Sequence, residues 1–495
     1  VETSNLQENV NIIKNGIGPK NPIVVKNILI GSEQPLEAVI IYISGLVDNK
    51  IINDDLLQPL MFQIHENLNN HSNLADYICK RYISVTNTEL ESDINNIVCA
   101  LPRGKTALLI NGLSDAILLD TAKLPQRAVE EPRNEVTIRG SREGFIEDIE
   151  VNISILRRRI PDKNLAIEKF RTGVRSQTDG AILYIQDIAD PDIVNQLKDR
   201  INSINVDEVI SIGMLQQYIE KHAYSMFPQV YTTERPDVIE AHLMAGKVAV
   251  TIEGTPTLIT VPTGLMEFFQ AVGDYYERTI VSSFIRILRF LAACIVLFLP
   301  SLYLILLKFN AELIPIKFLT PIIESRTGIA FTPFAEIVSM QIIGEFLREG
   351  GLRLPGKIGQ TISVIGGIII GDAALKAKIV SPSTLFVIGV AIVSSFLIPN
   401  YDMASAIRIL QYPMLISANI LGIYGVSMVL FALMIHLFSL DSFGAPYLEF
   451  KKNYMKDIFI RAPLWKFNKR PENTPNINPI RQTDFRSSWN KESKK

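Results

Sequence analysis

Cysteine is scarce in this chain: three among 495 residues, Cys79, Cys99 and Cys294. Three thiols with no pairing pattern exclude a disulfide framework and fit a reducing compartment. Cys294 lies in an apolar run and Cys99 in a strand-like one, so all three read as inert, buried thiols. Histidine is equally thin. His65, His71, His222, His242 and His436 are scattered, without the spacing of metal ligands. No G-x-S-x-G, H-E-x-x-H or C-x-x-C occurs, and no paired carboxylates stand in a catalytic setting. The expectation is therefore a protein that is not an enzyme and carries no cofactor or metal. The net charge of −2 gives no reason to expect nucleic acid as a partner. The first residues, VETSNLQENVNIIKNG, hold no apolar core of a signal peptide, so none is expected there.

What the chain does have is a concentration of apolar residues between Phe290 and Leu440. Phe290–Leu307 is eighteen uncharged residues, enough to span a bilayer with little tilt. Ile379–Tyr401 is uncharged but bracketed by Pro382 and Pro399, and Ile409–Leu440 has His436 as its sole ionisable group. Ile358–Gly371 is apolar and glycine-rich; extended to Ile379 it carries Asp372, Lys376 and Lys378. Four spans are expected, near 287–307, 357–379, 382–400 and 412–439, with 331–349 as an amphipathic helix. Arg286 and Arg289 precede the first span. After the last, Lys451 to Lys495 holds twelve Lys/Arg against four Asp/Glu. This charge pattern puts both ends of the membrane block on the cytoplasmic side.

The part before the spans contains an internal repeat. IIYISGLVD starts at Ile40 and ILYIQDIAD at Ile182; LPRGKTALLINGLSDAILLDT starts at Leu101 and LMAGKVAVTIEGTPTLITVPT at Leu243, an offset of 142 in each case. Each unit pairs β-branched apolar runs (Ala38–Ser44, Ala181–Gln186) with helix-like stretches after an Asp-bearing turn, and closes on a hairpin through Gly112 or Gly254. Asp190-Pro191 fits an N-cap followed by proline at the first helical position. The expected fold class is an α/β soluble N-terminal part of two similar subdomains, followed by an all-α multi-span membrane domain. The expected boundaries are 1–135, 136–281, 282–440 for the membrane block and 441–495 for a basic cytoplasmic tail, with the linker at 122–137.

Several motifs are open to two readings. Gly104-Lys105-Thr106 lacks the upstream glycine of a phosphate loop, where Cys99 stands, and reads as a turn into a strand. RGSREGF, with Arg139, Gly140, Arg142, Glu143 and Gly144, is either a structural turn between subdomains or an inter-domain or inter-subunit motif whose arginines pair with carboxylates. Glu336, Glu345 and Glu349 sit in the amphipathic segment. A carboxylate at the bilayer centre costs roughly 2.5–3.5 kcal/mol on insertion scales, so these are either a solvated face or an ion-attracting ring in an oligomer. At about 100° per residue Gln341, Glu345 and Glu349 share a face, with Glu336 opposite. Gln360, Ser363, Gly367 and Gly371 line one helical face, as tight packing or as a pore lining; Ile365, Ile368 and Ile369 are candidates for a dewetting gate, with Asp372 at its end.

Three stretches carry a family. RGSREGF with the following NISILRRRI, TERPDV at Thr233–Val238, and EFLREGGLRLPGKIGQTISVIGGIIIGDAA at Glu345–Ala374, continued by IVSPSTLFVIGVAIVSSFLIPNY, resemble the A subunits of GerA-type spore germinant receptors. The resemblance implies a protein of the spore inner membrane. It implies a permease-like B subunit that binds the nutrient germinant, a lipoprotein C subunit, and assembly of A subunits, as a pentamer, into a channel for monovalent cations. A sporulation-stage paralogue of similar layout is the alternative within the family. A non-conducting scaffold is the alternative in function. Asp372 and Leu375 depart from the family's usual Gln and Val, and Lys376 and Lys378 add charge.

Overall fold

The computed structural model describes residues 6–17, 23–31, 35–44, 46–66, 68, 73–122, 131–132, 135, 137, 139–353, 356–449, 457–483 and 486, without the side chains of 356–364. The chain forms two compact units, Val1–Gln126 and Arg127–Lys495.

The first unit runs α1 (Leu6–Ile17), β1 (Ile23–Ile30), β2 (Leu36–Ile43), α2 (Asn49–Ile51), a π-helical stretch (Ile52–Leu57), α3 (Gln58–Phe62), α4 (Leu74–Arg81), β3 (Thr88–Glu91), α5 (Ile94–Ala100), β4 (Lys105–Ile110) and β5 (Ala116–Asp120). Its strands form one antiparallel sheet in the order β1-β2-β4-β5-β3. The strands lack the polar alternation of a half-exposed sheet because both faces are covered. Ile28, Ile40, Leu108 and Ile117 face the helices between β2 and β3. Val39, Ile41, Leu109 and Leu118 face Ile13 of α1 and Ile97 of α5. Cys99 lies on α5 and is exposed, as is Cys294; the apolar context of these cysteines suggested burial, but both stand on the outward face of a helix, which an apolar neighbourhood in sequence does not report. Cys79 is partly buried, and that burial pushes its thiol up to about 11.

The second unit opens with the same plan: α6 (Ile149–Arg159), β6 (Leu165–Thr172), β7 (Thr178–Ile185), α7 (Pro191–Asn202), α8 (Ile212–Ile219), β8 (Tyr231–Thr233), α9 (Pro236–Met244), β9 (Val248–Ile252) and β10 (Leu258–Val261). Its sheet order, β6-β7-β9-β10-β8, is the first order repeated. The register repeats as well. Val39 pairs with Leu109 and Ala181 with Thr251; Ile23 pairs with Ile43 and Leu165 with Ile185. Asp48 and Asp190 cap corresponding helices, accepting from the amides of Lys50 and Asp192 at 2.9 and 3.0 Å. Gly104 and Gly246 turn the chain into β4 and β9 with φ of +85° and +98°, a conformation that disfavours a Cβ.

The rest of the second unit is helical: α10 (Gly273–Tyr276), α11 (Thr279–Lys308), α12 (Ile316–Arg326), α13 (Pro333–Arg353), α14 (Gly356–Lys376), α15 (Pro382–Ser395), α16 (Tyr401–Leu421) and α17 (Ile423–Ser439). The stretch 412–439, expected as one tilted span, is two helices. Gly422 adopts φ +61° between them, and α17 folds back along α16 so closely that a Cβ on Gly425 would lie 2.3 Å from the carbonyl oxygen of Ser417. The helix expected at 331–349 runs instead from Pro333 to Arg353 and packs beside α14 and α15, with Gly344 against Ile392 and Leu347 against Gly366. Among the described residues α11 alone is both long and apolar enough to cross a membrane; α15 and α17 are apolar but shorter. Apolar side chains of α11 at Ile280, Phe284, Ile287 and Leu291 form an exposed stripe.

After α17 the chain returns to the second subdomain. Its strands β11 (Asp441–Ser442) and β12 (Ala445–Pro446) form a short hairpin, and 457–483 crosses the subdomain, with the Ile477 amide donating to the Ile188 carbonyl at 2.9 Å. The basic tail is thus docked over these residues: Arg470 donates to the Met244 carbonyl at 2.8 Å and Asn473 to Glu267 at 3.0 Å.

Two hairpin glycines separate conformational strain from crowding. Gly112 has φ +84° with open space around it, whereas a Cβ on Gly104 would sit 2.8 Å from both the Leu46 carbonyl oxygen and the Ala122 Cβ. Gly112→Ala is expected to destabilise by about 1–2 kcal/mol. Gly104→Ala is expected to lower the melting temperature further, read by thermal unfolding of the two variants side by side.

Candidate functional site

The strongest charged cluster joins the second subdomain to the start of α11. Asp274 lies on α10, four residues before α11 begins to wind, and is buried. It accepts from Arg286 Nε at 3.0 Å and, in a two-pronged contact, from Arg289 Nη1 and Nη2 at 2.7 and 2.9 Å. Arg286 is fully buried; its Nη1 also reaches the Asp457 carboxylate at 2.7 Å, and the Tyr275 hydroxyl donates to the other oxygen of Asp457 at 2.6 Å. Arg461 closes the cluster, donating to the carbonyls of Asp274 and Glu277 at 2.7 and 2.8 Å. Arg286 and Arg289 therefore act as ion-pair partners of a buried carboxylate, although their sequence position suggests a topogenic flank. A buried guanidinium needs such a set of acceptors to offset its desolvation. The consequence is mechanical: α10, the first three turns of α11 and the returning tail share one ionic lock.

RGSREGF is stitched into the second unit. Arg139 approaches Glu277 at 3.6 Å and Arg142 approaches Glu131 at 3.2 Å. Glu143 pairs with Arg158, and with Arg159 at 2.8 Å; Arg159 also reaches Glu240 at 3.2 Å. Gly140 has φ +115° and lies under the Tyr276 ring, 2.4 Å from where a Cβ would stand, so glycine is required there on two grounds. Gly144 is buried. TERPDV completes the arrangement. Arg235, 3% exposed, grips Asp237 through Nε and Nη2 at 3.0 and 2.7 Å and donates to the carbonyls of Glu135 and Ser141, both at 3.0 Å. The Tyr276 hydroxyl donates to Asp237 at 2.9 Å. One buried arginine thus ties the incoming linker, the RGSREGF turn and the approach to α11 together. Glu135 receives bonds from the Thr233 hydroxyl and the Glu234 amide, yet burial pushes its carboxyl up to about 7.

The carboxylates of α13 are all paired. Glu336 is fully buried; Arg326 of α12 reaches it at 2.7 Å, and the amide and hydroxyl of Ser381, the N-cap of α15, both donate to it at 3.0 Å. Glu345 lies between Arg348 and Arg408 at 2.9 and 3.2 Å. Arg348 also reaches Ser395 at 2.9 Å, and Gln341 donates to Gln411 at 3.2 Å, so a polar seam runs between α13, α15 and α16. Glu349 pairs with Arg353 at 2.7 Å on an exposed surface. The shared face of Gln341, Glu345 and Glu349 thus divides: the first two enter the seam and the third is solvated.

On α14 the glycines and the isoleucines part company. Gly366 and Gly367 face Leu347 of α13, and Gly371 faces Leu385 of α15. Ile365, Ile368 and Ile369 are 49%, 66% and 62% exposed, and Asp372 on the same side pairs with Lys376 at 2.7 Å. The side chains of Gln360 and Ser363 lie outside the described residues. Sequence reading missed Asp274, Asp457 and Arg461, whose partners are up to 187 residues away in the chain. It also missed Arg408, a lone charge near a span that carries no local signal.

Two outcomes test these assignments. Asp274→Asn leaves the buried Arg286 and the partly buried Arg289 short of a counter-charge, a loss of about 3 kcal/mol, and should expose the 457–461 segment to proteolysis. Glu135 holds its proton more tightly in the folded chain than in the unfolded one, so its share of stability is present at acid pH and declines as pH rises from about 4.5 through about 7. Hydrogen exchange near Thr233, corrected for the intrinsic rate, should be slower at the acid end, and Glu135→Gln should flatten that dependence.

Residues 11–473 match the family model described as Bacillus/Clostridium GerA spore germination protein. Spore germination protein KA of Bacillus subtilis is 34% identical over 96% of this chain and 88% of its own length. Spore germination protein B1 of the same organism is 35% identical over 97% and 99%, and the uncharacterized membrane protein YfkQ 36% identical over 87% and 84%. The crystal structure of the N-terminal domain of the A subunit of the Bacillus megaterium spore germinant receptor GerK3 is 29% identical, with a TM-score of 0.23, covering 52% of this chain and 95% of that one. With a family model spanning nearly its whole length, this chain belongs to the GerA family of spore germination proteins.

Proposed function

We propose that this chain is the A subunit of a nutrient germinant receptor in the spore inner membrane, and that several copies, as a pentamer, surround a path for monovalent cations. The observation that carries the reading is the family match together with the exposed isoleucine face of α14. In one protomer Ile365, Ile368 and Ile369 have no covering helix among the described residues, while Asp372 and Lys376 follow on the same side. A ring of such faces gives an apolar constriction that excludes water when narrow and conducts when widened. A permease-like B subunit and a lipoprotein C subunit are the expected partners, the B subunit supplying the germinant signal.

The packing supports a multi-pass reading. Lys308 at the end of α11 meets Asn419 near the end of α16, and Tyr303 meets Ser383 at the start of α15. Helix α16 therefore runs parallel to α11 and α15 antiparallel to it, which supports a block that crosses several times with both ends on the cytoplasmic side. Helices of 21 residues reach about 32 Å, a bilayer's hydrocarbon thickness. Glu336 and the seam around Glu345 are tolerable inside it because they are paired within the protomer.

A scaffold that clusters receptors without conducting is the second reading. The packing of Gly366, Gly367 and Gly371 against Leu347 and Leu385 within one chain favours it. Reconstitution in liposomes decides between them. A channel should pass potassium, and Ile368→Ser should raise the basal leak by about tenfold, a barrier change of about 1.4 kcal/mol. Absence of flux from wild type and variant alike, with a single-chain mass in the membrane mimic, would establish the scaffold.

A further inference from the structure

The two subdomains repeat each other so closely that a difference between them marks what one copy has gained. In the second subdomain, Glu168 on β6 is opposite Ile182, with Tyr184 two residues further along β7. Glu168 accepts from the Tyr184 hydroxyl and pairs with Lys198 of α7 at 2.7 Å; the Lys198 ammonium lies 5.8 Å from the centre of the Tyr184 ring. A tyrosine, a carboxylate and an ammonium fill the groove between helix and sheet there, and α7 is an unbroken α-helix.

At the equivalent place in the first subdomain the groove is open. Lys26 on β1 is opposite Ile40, as Glu168 is opposite Ile182, and Tyr42 keeps the position of Tyr184. The carboxylate has become an ammonium. The helix also differs: from Ile52 to Leu57 it is a π-helix, with the Gln58 amide bonded to the Asn53 carbonyl; Leu56 stands at the offset of Lys198, and Leu57 lines the groove. The result is a cavity of about 220 Å³ lined by Lys26, Tyr42, Asn49 and Asn53 on its polar side and by Ile40, Ile52 and Leu57 on its apolar side. Lys26 has no ion-pair partner among the described residues.

We propose that this cavity binds a small monocarboxylate with a short apolar body, whose carboxylate takes the place that Glu168 occupies in the sister subdomain. Lys26 supplies the charge, the Tyr42 hydroxyl and the two asparagine amides supply donors, and the branched side chains hold the hydrocarbon. Drug-sized pockets run to roughly 300–1,000 Å³, so this one selects a smaller molecule. The lining contains no acidic side chain to receive an α-ammonium, so a free carboxylic acid is preferred over the amino acid of the same skeleton. Binding here is independent of whether the helical part conducts.

Isovalerate, valine and isovaleramide share a branched skeleton and differ in charge, which makes them the probes. Titrated into the full-length protein in detergent and followed by calorimetry, isovalerate should bind, and the other two at least about tenfold more weakly. Lys26→Gln should weaken isovalerate about tenfold, the effect of losing a charged hydrogen bond. Lys198→Gln, in the sister subdomain, should leave it unchanged. Lys26→Glu combined with Leu57→Lys should rebuild the internal pair and abolish binding. No binding of isovalerate to the wild type, equal binding of valine, or full affinity in Lys26→Gln would each overturn the assignment.

Discussion

The contact on which the second unit depends is the buried carboxylate of Asp274 between Arg286 and Arg289. Two arginines placed on the first turns of a long apolar helix would be costly to bury unless each found a fixed counter-charge. Asp274 and Asp457 supply it, one from just before the helix and one from the far end of the chain. The subdomain, the helix and the tail are thereby held in one geometry. A displacement of α10 cannot leave α11 where it was without breaking these charge pairs. The neighbouring Arg235–Asp237 pair reaches the same place through Tyr276, and a shared apolar core, Phe227 and Tyr231 with Met403 and Ile407, joins the subdomain to α16 as well.

The duplicated subdomains show how one fold is kept and its surface changed. Sheet order, register, helix caps and turn glycines are common to both, since these set the backbone and tolerate little substitution. What differs is chemistry on the face between sheet and helix. A Glu–Lys–Tyr group closes it in one copy, and a lysine with a π turn opens it in the other. One charge reversal and a π-helical turn separate the packed groove from the cavity.

Inside the helical part, charge is handled by pairing within the protomer. Glu336 is met by Arg326 and by the cap of α15; Glu345 is met by two arginines. These pairs fix how α12, α13, α15 and α16 sit against one another. Exposed apolar side chains remain on each long helix, among them Phe284 of α11, Ile368 of α14, Phe386 of α15, Ile416 of α16 and Phe431 of α17, and these surfaces are available to lipid or to another chain.

The sequence alone determined the two-fold repeat, since the offset shared by its motifs is also the offset of every strand and every sheet pairing. It likewise determined the family, because the motifs that carry it are contiguous. Local signals were also sufficient for Asp190 as a cap and for the turn at Gly104, where the deciding interaction lies within a few residues. Tertiary structure decided the rest. Whether Ile409–Leu440 was one long helix or a hairpin turned on the conformation of Gly422, which apolar composition does not report. Whether Arg286 faced lipid headgroups or a carboxylate turned on Asp457, far along the chain. Whether the glycines of α14 or its isoleucines faced outward turned on which neighbours packed beside it. Composition and periodicity record what a residue is and which face it shares; they do not record what that face meets, and the charged and small residues of this protein take their meaning from that meeting.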